Sequence, residues 1–324
     1  MQPPAWRSLN QISSPDPAEW APRGYAVVNL DIRGTWESEG NLYIEGSQPG
    51  IDAYGTIEYI AKLEWCNGGI TMAGSIRGFN AAKSKNKWLR IHPTQEWYDL
   101  YLKEANDELQ KFFDRYLKGI DNGWEKTASV RVSILTYGDR NGPQPLANLP
   151  FTEYPPKSTQ YQRLYLTGSK TLSADVPTST SQLEYQSDNL KAAPADFTYV
   201  FPEKTQVMGH SKVKLWLSCD ENDDMDIYIS LRKVDRNGKV LEHINVPWSA
   251  LPDNVSSQED VPNSNTIEHL GPSGVLRVSH RFLDQCVEFP QHIDGTPQNL
   301  NKGKHIIHVG GKHDLALNIP VVPV

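Results

Sequence analysis

Between residues 24 and 34 the chain reads GYAVVNLDIRG, in which Tyr25 to Leu30 is mostly apolar and β-branched with no polar alternation. A strand covered on both faces of an α/β sheet has this pattern, because helices on either side leave it no wet face. Asp31, Arg33 and Gly34 close the run as a polar turn. From residue 52 to 65 the period changes. Ala53, Ile57, Ile60 and Ala61 share one helical face behind a possible cap at Asp52, which predicts a crossover helix. Asn67-Gly68-Gly69 ends it, and Ile70 to Ala73 predicts a second short strand. Strand, helix and strand in that order form a βαβ unit and hence a parallel sheet. KWLRIH (residues 87 to 92) is a third strand candidate. Residues 97 to 118 predict one long amphipathic helix, with Leu100, Leu109, Phe112, Phe113 and Tyr116 as its apolar stripe and Gly119 as its stop.

After Trp124 the period shortens. VRVSIL (130 to 135), KVKLWLS (212 to 218) and MDIYISLRKV (225 to 234) read as alternating strands, the last followed by a turn at Asp235 to Gly238. The expected boundary lies near residues 125 to 155, with LPFTEYPP as linker-like sequence. An all-β sandwich is expected beyond it.

Composition narrows the function. The 324 residues carry a net charge of −7 and no cluster of Lys and Arg with interleaved aromatics, so a nucleic-acid footprint is not expected. No apolar run approaches the roughly 20 residues that span a bilayer, and the N-terminus has no basic and apolar signal. The expectation is a soluble, cytoplasmic protein without membrane contact. Cys66, Cys219 and Cys286 stand far apart without a CxxC, and predict neither a disulfide framework nor a zinc knuckle.

Two metal-like patterns fail on spacing. DENDDMDIYISL places Asp220, Asn222 and Asp224 as a calcium loop would. However, it has Met225 where the turn needs glycine and Leu231 where a bidentate glutamate is needed. His305 and His308 in GKHIIHVGGKHDL fall on opposite faces of a strand, and His313 follows without a carboxylate at ligand spacing. No metal and no cofactor is expected. What remains is Ser75 after a strand and a glycine, with His92 ending KWLRIH. A serine hydrolase on an α/β sheet needs such a serine on a tight turn, a histidine after late strands, and an acid that fixes the histidine tautomer.

At these residues the chain resembles a family. GYAVVNLDIRGTWESEG, IEYIAKLEWCNGGITMAG, KWLRIHPTQEW and LQKFFDRYLKGIDNGWEKT look like the CocE/NonD hydrolases, cocaine-esterase-like relatives of the X-Pro dipeptidyl-peptidases. VKLWLSCDENDDMDIYISLRKVDRNGK, GVLRVSHRFLD and GGKHDLALNIPVVPV resemble their C-terminal β-domain. The resemblance implies an α/β-hydrolase-like partial parallel sheet with helices over residues 1–125, followed by an all-β jelly-roll sandwich over 126–324. It also implies a Ser-Asp-His triad cleaving esters, amides or X-Pro peptides. Ser75 is then the candidate nucleophile, His92 the candidate base and the backbone N–H of Ile76 the candidate oxyanion donor; no residue is assigned as the acid. The substrate class is a small-molecule ester or peptide, and a homo-oligomer is a candidate assembly.

Two departures keep a second reading of Ser75 open. The family elbow reads Gly-any-Ser-any-any-Gly, whereas Gly74 here directly precedes Ser75. Residues 74 to 92 also match, without a gap, a family segment that follows the helical cap. On that reading Gly74 is a junction, Ser75 opens a helix, and the nucleophile, the cap and the triad acid are missing. A second gap falls between PQHIDGTPQ and NKGKH. The alternatives to an active enzyme are therefore a catalytically silent hydrolase-like binding protein, or a truncated gene product.

Overall fold

The computed structural model describes residues 16–28, 31, 33–35, 37–41, 48–66, 79–80, 83–187, 189, 191, 194–220, 224–261, 268–278, 304–309 and 316–322. In chain order the helices are α1 (Pro17–Trp20), α2 (Gln48–Ile60), α3 (Glu96–Leu100) and α4 (Lys103–Leu117). The strands are β1 (Leu89–Ile91), β2 (Val130–Ile134), β3 (Leu146–Phe151), β4 (Gln160–Leu166), β5 (Leu172–Ser173), β6 (Ser181–Gln186), β7 (Gln206–Val207), β8 (Lys212–Val213) and β9 (Trp216–Cys219). They continue as β10 (Asp226–Ser230), β11 (Lys233–Val234), β12 (Val240–Leu241), β13 (His243–Ile244), β14 (Glu268–His269), β15 (Ser273–Arg277), β16 (Lys304–Val309) and β17 (Ala316–Val322).

The chain divides into two compact units, Met1–Pro150 with Leu231–Pro272, and Phe151–Ser230 with Ser273–Val324. In the first unit β1 pairs with β2 in parallel, Leu89 against Val130 and Ile91 against Val132. The crossover between them is α3 and α4, so this is a βαβ unit. Val130, placed with the sandwich half on its short-strand pattern, thus belongs to a parallel pair of the first unit.

Leu89, Val130 and Val132 are buried in this sheet. The apolar stripe of α4 packs through aromatic rings: Phe112 lies against Trp88 at 6.0 Å and Trp124 at 5.2 Å, both edge-on. Phe113 packs on Trp20 at 5.1 Å and Tyr25 at 5.6 Å. Edge contacts of this kind contribute about 0.5–1.5 kcal/mol each beyond the area they bury.

Three local expectations change. Residues 25–28 have no regular structure, and the rest of the predicted strand, Asn29 and Leu30, lies outside the described residues. Tyr25 instead donates its hydroxyl to Asp114 at 2.6 Å. The crossover helix runs from Gln48 to Ile60, earlier than expected, with Ile57 and Ile60 half-buried as the pattern required. The long helix is broken at Tyr101 and Leu102, because the buried Asn106 side chain donates to the carbonyls of Leu100 (2.9 Å) and Leu102 (3.4 Å). The side-chain amide thereby serves the Leu100 carbonyl, which an uninterrupted helix would have paired with a backbone N–H, while the Leu102 carbonyl keeps the Asn106 N–H at 3.0 Å.

Between Leu231 and Pro272, β11 pairs with β12 and β13 pairs with β14, both antiparallel. The predicted turn is present: the Asp235 carboxylate accepts from the N–H groups of Asn237 (2.8 Å) and Lys239 (2.9 Å). At the neck of this segment Leu231 N–H donates to Pro272 O at 2.9 Å. Gly271 there has φ +128°, and a Cβ would sit 2.0 Å from the Leu231 carbonyl oxygen, so only glycine fits.

Among the described residues the strand pairs of the second unit are antiparallel. One sheet has the order β6-β16-β9, another β5-β4-β17-β7 with β8 also on β17, and β10 pairs with β15. Alternation sends Ile307 and Val309 inward with Leu166, where Leu183, Leu215 and Leu217 pack against them.

Candidate functional site

His92 is the first residue beyond β1. Loops diverge at the carboxyl ends of parallel strands, and open α/β sheets hold their functional side chains in the crevice this leaves. The ring of His92 has its Nδ1 buried without a hydrogen-bond partner. Thr94 Oγ1, two residues on, is likewise buried and unpartnered.

The nearest acid in sequence with a described side chain is Asp99, and it is committed elsewhere. Arg90 donates from Nη1 and Nη2 to its two carboxylate oxygens at 2.5 and 2.8 Å, while Arg90 Nε donates to Asn148 Oδ1 at 3.1 Å. Arg90 and Arg131 are register neighbours on β1 and β2, so two guanidinium ions sit side by side. Glu108 lies between them in charge, pairing with Arg131 and standing 4.0 Å from Arg90 Nε. Burial pulls the Arg90 pKa down, but the hydrogen bond and charge of Asp99, then the charge of Glu108, outweigh it and hold the group above its ordinary range. Asp99 therefore neutralises an arginine and does not fix the tautomer of His92.

Of the sequence-derived site, His92 is described, whereas Ser75 and Ile76 lie outside the described residues. The distances of a nucleophile and an oxyanion donor to His92 thus form no part of the geometry. Among the described residues no group of His, Cys, Asp and Glu is arranged to hold a metal ion, and Cys66 is a free thiol. In the second unit His305 is buried, its Nδ1 3.0 Å from the Tyr185 hydroxyl. His308 faces the other side of the same strand, with Nε2 2.8 Å from Ser218 Oγ and Nδ1 3.2 Å from Gln182 Nε2. His313 lies outside the described residues.

Sequence reasoning passed over His243. It is buried at 3% exposure on β13, with Nε2 2.7 Å from the Pro93 carbonyl and Nδ1 2.8 Å from the Thr136 carbonyl. Both partners are backbone atoms more than 100 residues away in the chain, which leaves no mark on the local sequence EHINVPW. The only available signal was a histidine in an otherwise apolar strand.

Comparison with known proteins bears on both parts of the chain. Residues 122–288 match the family profile of the X-Pro dipeptidyl-peptidase C-terminal non-catalytic domain. Residues 3–102, which include His92, match that of the X-Pro dipeptidyl-peptidase S15 family. A crystal structure of a CocE/NonD family hydrolase from Staphylococcus aureus is similar at 26% identity with TM-score 0.61, over 77% of this chain and 51% of that one. A second, at 1.95 Å resolution, is 22% identical with TM-score 0.69, over 96% of this chain and 82% of that one. The chain thus spans about half the length of the first of these. None of the curated proteins compared with the chain matches it.

The two matched parts define a class, hydrolases in which a peptidase-type domain precedes a β-rich non-catalytic domain. Within that class, the chain belongs to the CocE/NonD-type, X-Pro dipeptidyl-peptidase-like family. Among the described residues no helix is long and apolar enough to cross a membrane.

Proposed function

We propose that the chain is a serine hydrolase of small-molecule esters, amides or X-Pro peptides, with His92 as its general base. The observation that carries the reading is the place of His92, immediately past the end of a parallel strand and within the segment that matches the S15 profile. Ser75 Oγ attacks the carbonyl carbon while His92 accepts the hydroxyl proton. The oxyanion is held by the backbone N–H of Ile76. Collapse expels the amine or alcohol, which takes the proton back from His92, and water then releases the acyl group by the same route. No cofactor enters these steps.

A second reading is favoured by one observation: the described acid nearest in sequence, Asp99, is engaged bidentately by Arg90, and His92 Nδ1 makes no hydrogen bond. An imidazole without an orienting partner is a weaker base, and on this reading the protein binds ester or peptide ligands without turning them over.

Hydrolysis of p-nitrophenyl acetate and of a Gly-Pro anilide by the purified chain tests the two. The enzyme reading expects turnover that is lost in His92→Ala. Turnover that persists in that variant rejects His92 as the base, and none in the folded wild type leaves the binding protein.

A further inference from the structure

Pro93, the residue after His92, has no backbone N–H, so its carbonyl is the one main-chain hydrogen-bonding group it offers. That carbonyl accepts from His243 Nε2 at 2.7 Å, and the other ring nitrogen faces the carbonyl of Thr136, two residues past β2, at 2.8 Å. Carbonyl oxygens only accept, so both nitrogens must donate, and a ring carrying both hydrogens satisfies both. A ring with one hydrogen sets a lone pair against a carbonyl lone pair in a site only 3% exposed.

His269, opposite His243 on β14, is pushed below its ordinary range by burial first and by His243 second. Tyr137, whose ring centre lies 6.0 Å from that of His243, is pushed up by burial and stays neutral. Lys233 stands 5.9 Å over that tyrosine ring. Glu242 precedes His243, and Glu268 lies in register with Ile244. One further tie runs beside the histidine: Gln95 N–H donates to Asn245 O at 2.6 Å. The segment following His92 is therefore fastened to the 243–245 stretch at two points.

We infer that His243 is a positioning residue for His92, a doubly protonated buried imidazole that clips the backbone beside the base to β13 and to the end of β2. Because His92 Nδ1 has no hydrogen bond of its own, the orientation of its ring is set by its backbone, and His243 holds that backbone. The inference rests on the reading of His92 as the base, but its test needs no turnover.

The experiment follows carbethoxylation of His92 by diethylpyrocarbonate, with peptide mass spectrometry, in the full chain and in His243→Phe and His243→Gln. Loss of both donors in His243→Phe is expected to raise the His92 rate about tenfold, as losing a charge-assisted hydrogen bond opens the segment. His243→Gln, which keeps one donor, is expected to fall between. Nitrogen-15 spectra of the wild-type ring at neutral pH are expected to show both His243 nitrogens protonated. An unchanged His92 rate in a folded His243→Phe variant, or one bare His243 nitrogen, overturns the inference. If His243→Phe does not fold, the wild-type spectrum and the His243→Gln rate decide. A chain that proves catalytically silent still returns both readouts, so the failure of the enzyme reading and the failure of the clip are separable.

Discussion

Replacing Asp99 with asparagine removes one charge from the Arg90 pair and leaves the guanidinium beside Arg131. The pair is bidentate at 2.5 and 2.8 Å, with side chains 24% and 11% exposed. Breaking a fully buried pair costs about 3–5 kcal/mol, and an exposed pair contributes about 0.2–1 kcal/mol. Partial exposure puts this site between them, at about 2 kcal/mol. For a chain of 324 residues that lowers the melting temperature by about 3 °C. The control is Lys103→Ala, which removes an exposed pair with Asp107 one helical turn away and should leave the urea midpoint nearly unchanged. Urea unfolding of both variants, followed by tryptophan fluorescence, measures the difference. A loss below about 0.5 kcal/mol for Asp99→Asn would refute the structural role. If Asp99→Asn instead abolished hydrolysis at unchanged stability, the carboxylate would be the catalytic acid and the Arg90 pairing would be secondary.

Three other outcomes are expected. Tyr25→Phe should cost about 1 kcal/mol by removing the 2.6 Å hydrogen bond to Asp114. That bond first, with Lys118 also contributing against the opposing effect of burial, holds the Asp114 carboxyl below its ordinary range. Its stabilisation is present above the unfolded carboxyl pKa and lost as pH falls through the depressed folded value, so the variant should lose acid sensitivity in a urea titration between pH 5 and 2. Burial pushes the His305 imidazole below its ordinary value of 6.5. The folded state then binds fewer protons than the unfolded chain between the two values, so stability should fall as pH drops below 6.5. The difference in urea midpoint between wild type and His305→Asn, measured at pH 8 and 5, isolates that slope. Gly271→Ala should destabilise by about 1–3 kcal/mol or more, because its Cβ would meet the Leu231 carbonyl at a positive φ; limited proteolysis of residues 231–272 reports it.

The elements that local period specifies were legible in the sequence. KWLRIH forms β1, and the α4 stripe of Phe112, Phe113 and Tyr116 reaches the core. The Asp235–Gly238 turn joins β11 to β12, and His305 and His308 face opposite sides of one strand. What escaped depends on partners distant in sequence or on one competing side chain. The helix break follows from Asn106 capping Leu100, which a hydrophobic stripe does not encode. VRVSIL reads the same on a parallel or an antiparallel neighbour, and only its register with Leu89–Ile91 decides. Nothing within KWLRIH marks Arg90, which Asp99 and Asn148 make a partly buried node. His243 acts on residues 107 and 150 positions away.

The most direct test of the account is labelling of the folded chain by a fluorophosphonate serine-hydrolase probe, beside Ser75→Ala and His92→Ala. The account predicts covalent labelling of the wild type that is absent in Ser75→Ala and strongly slowed in His92→Ala. No labelling of a cooperatively folded wild type, or equal labelling of all three, would contradict it.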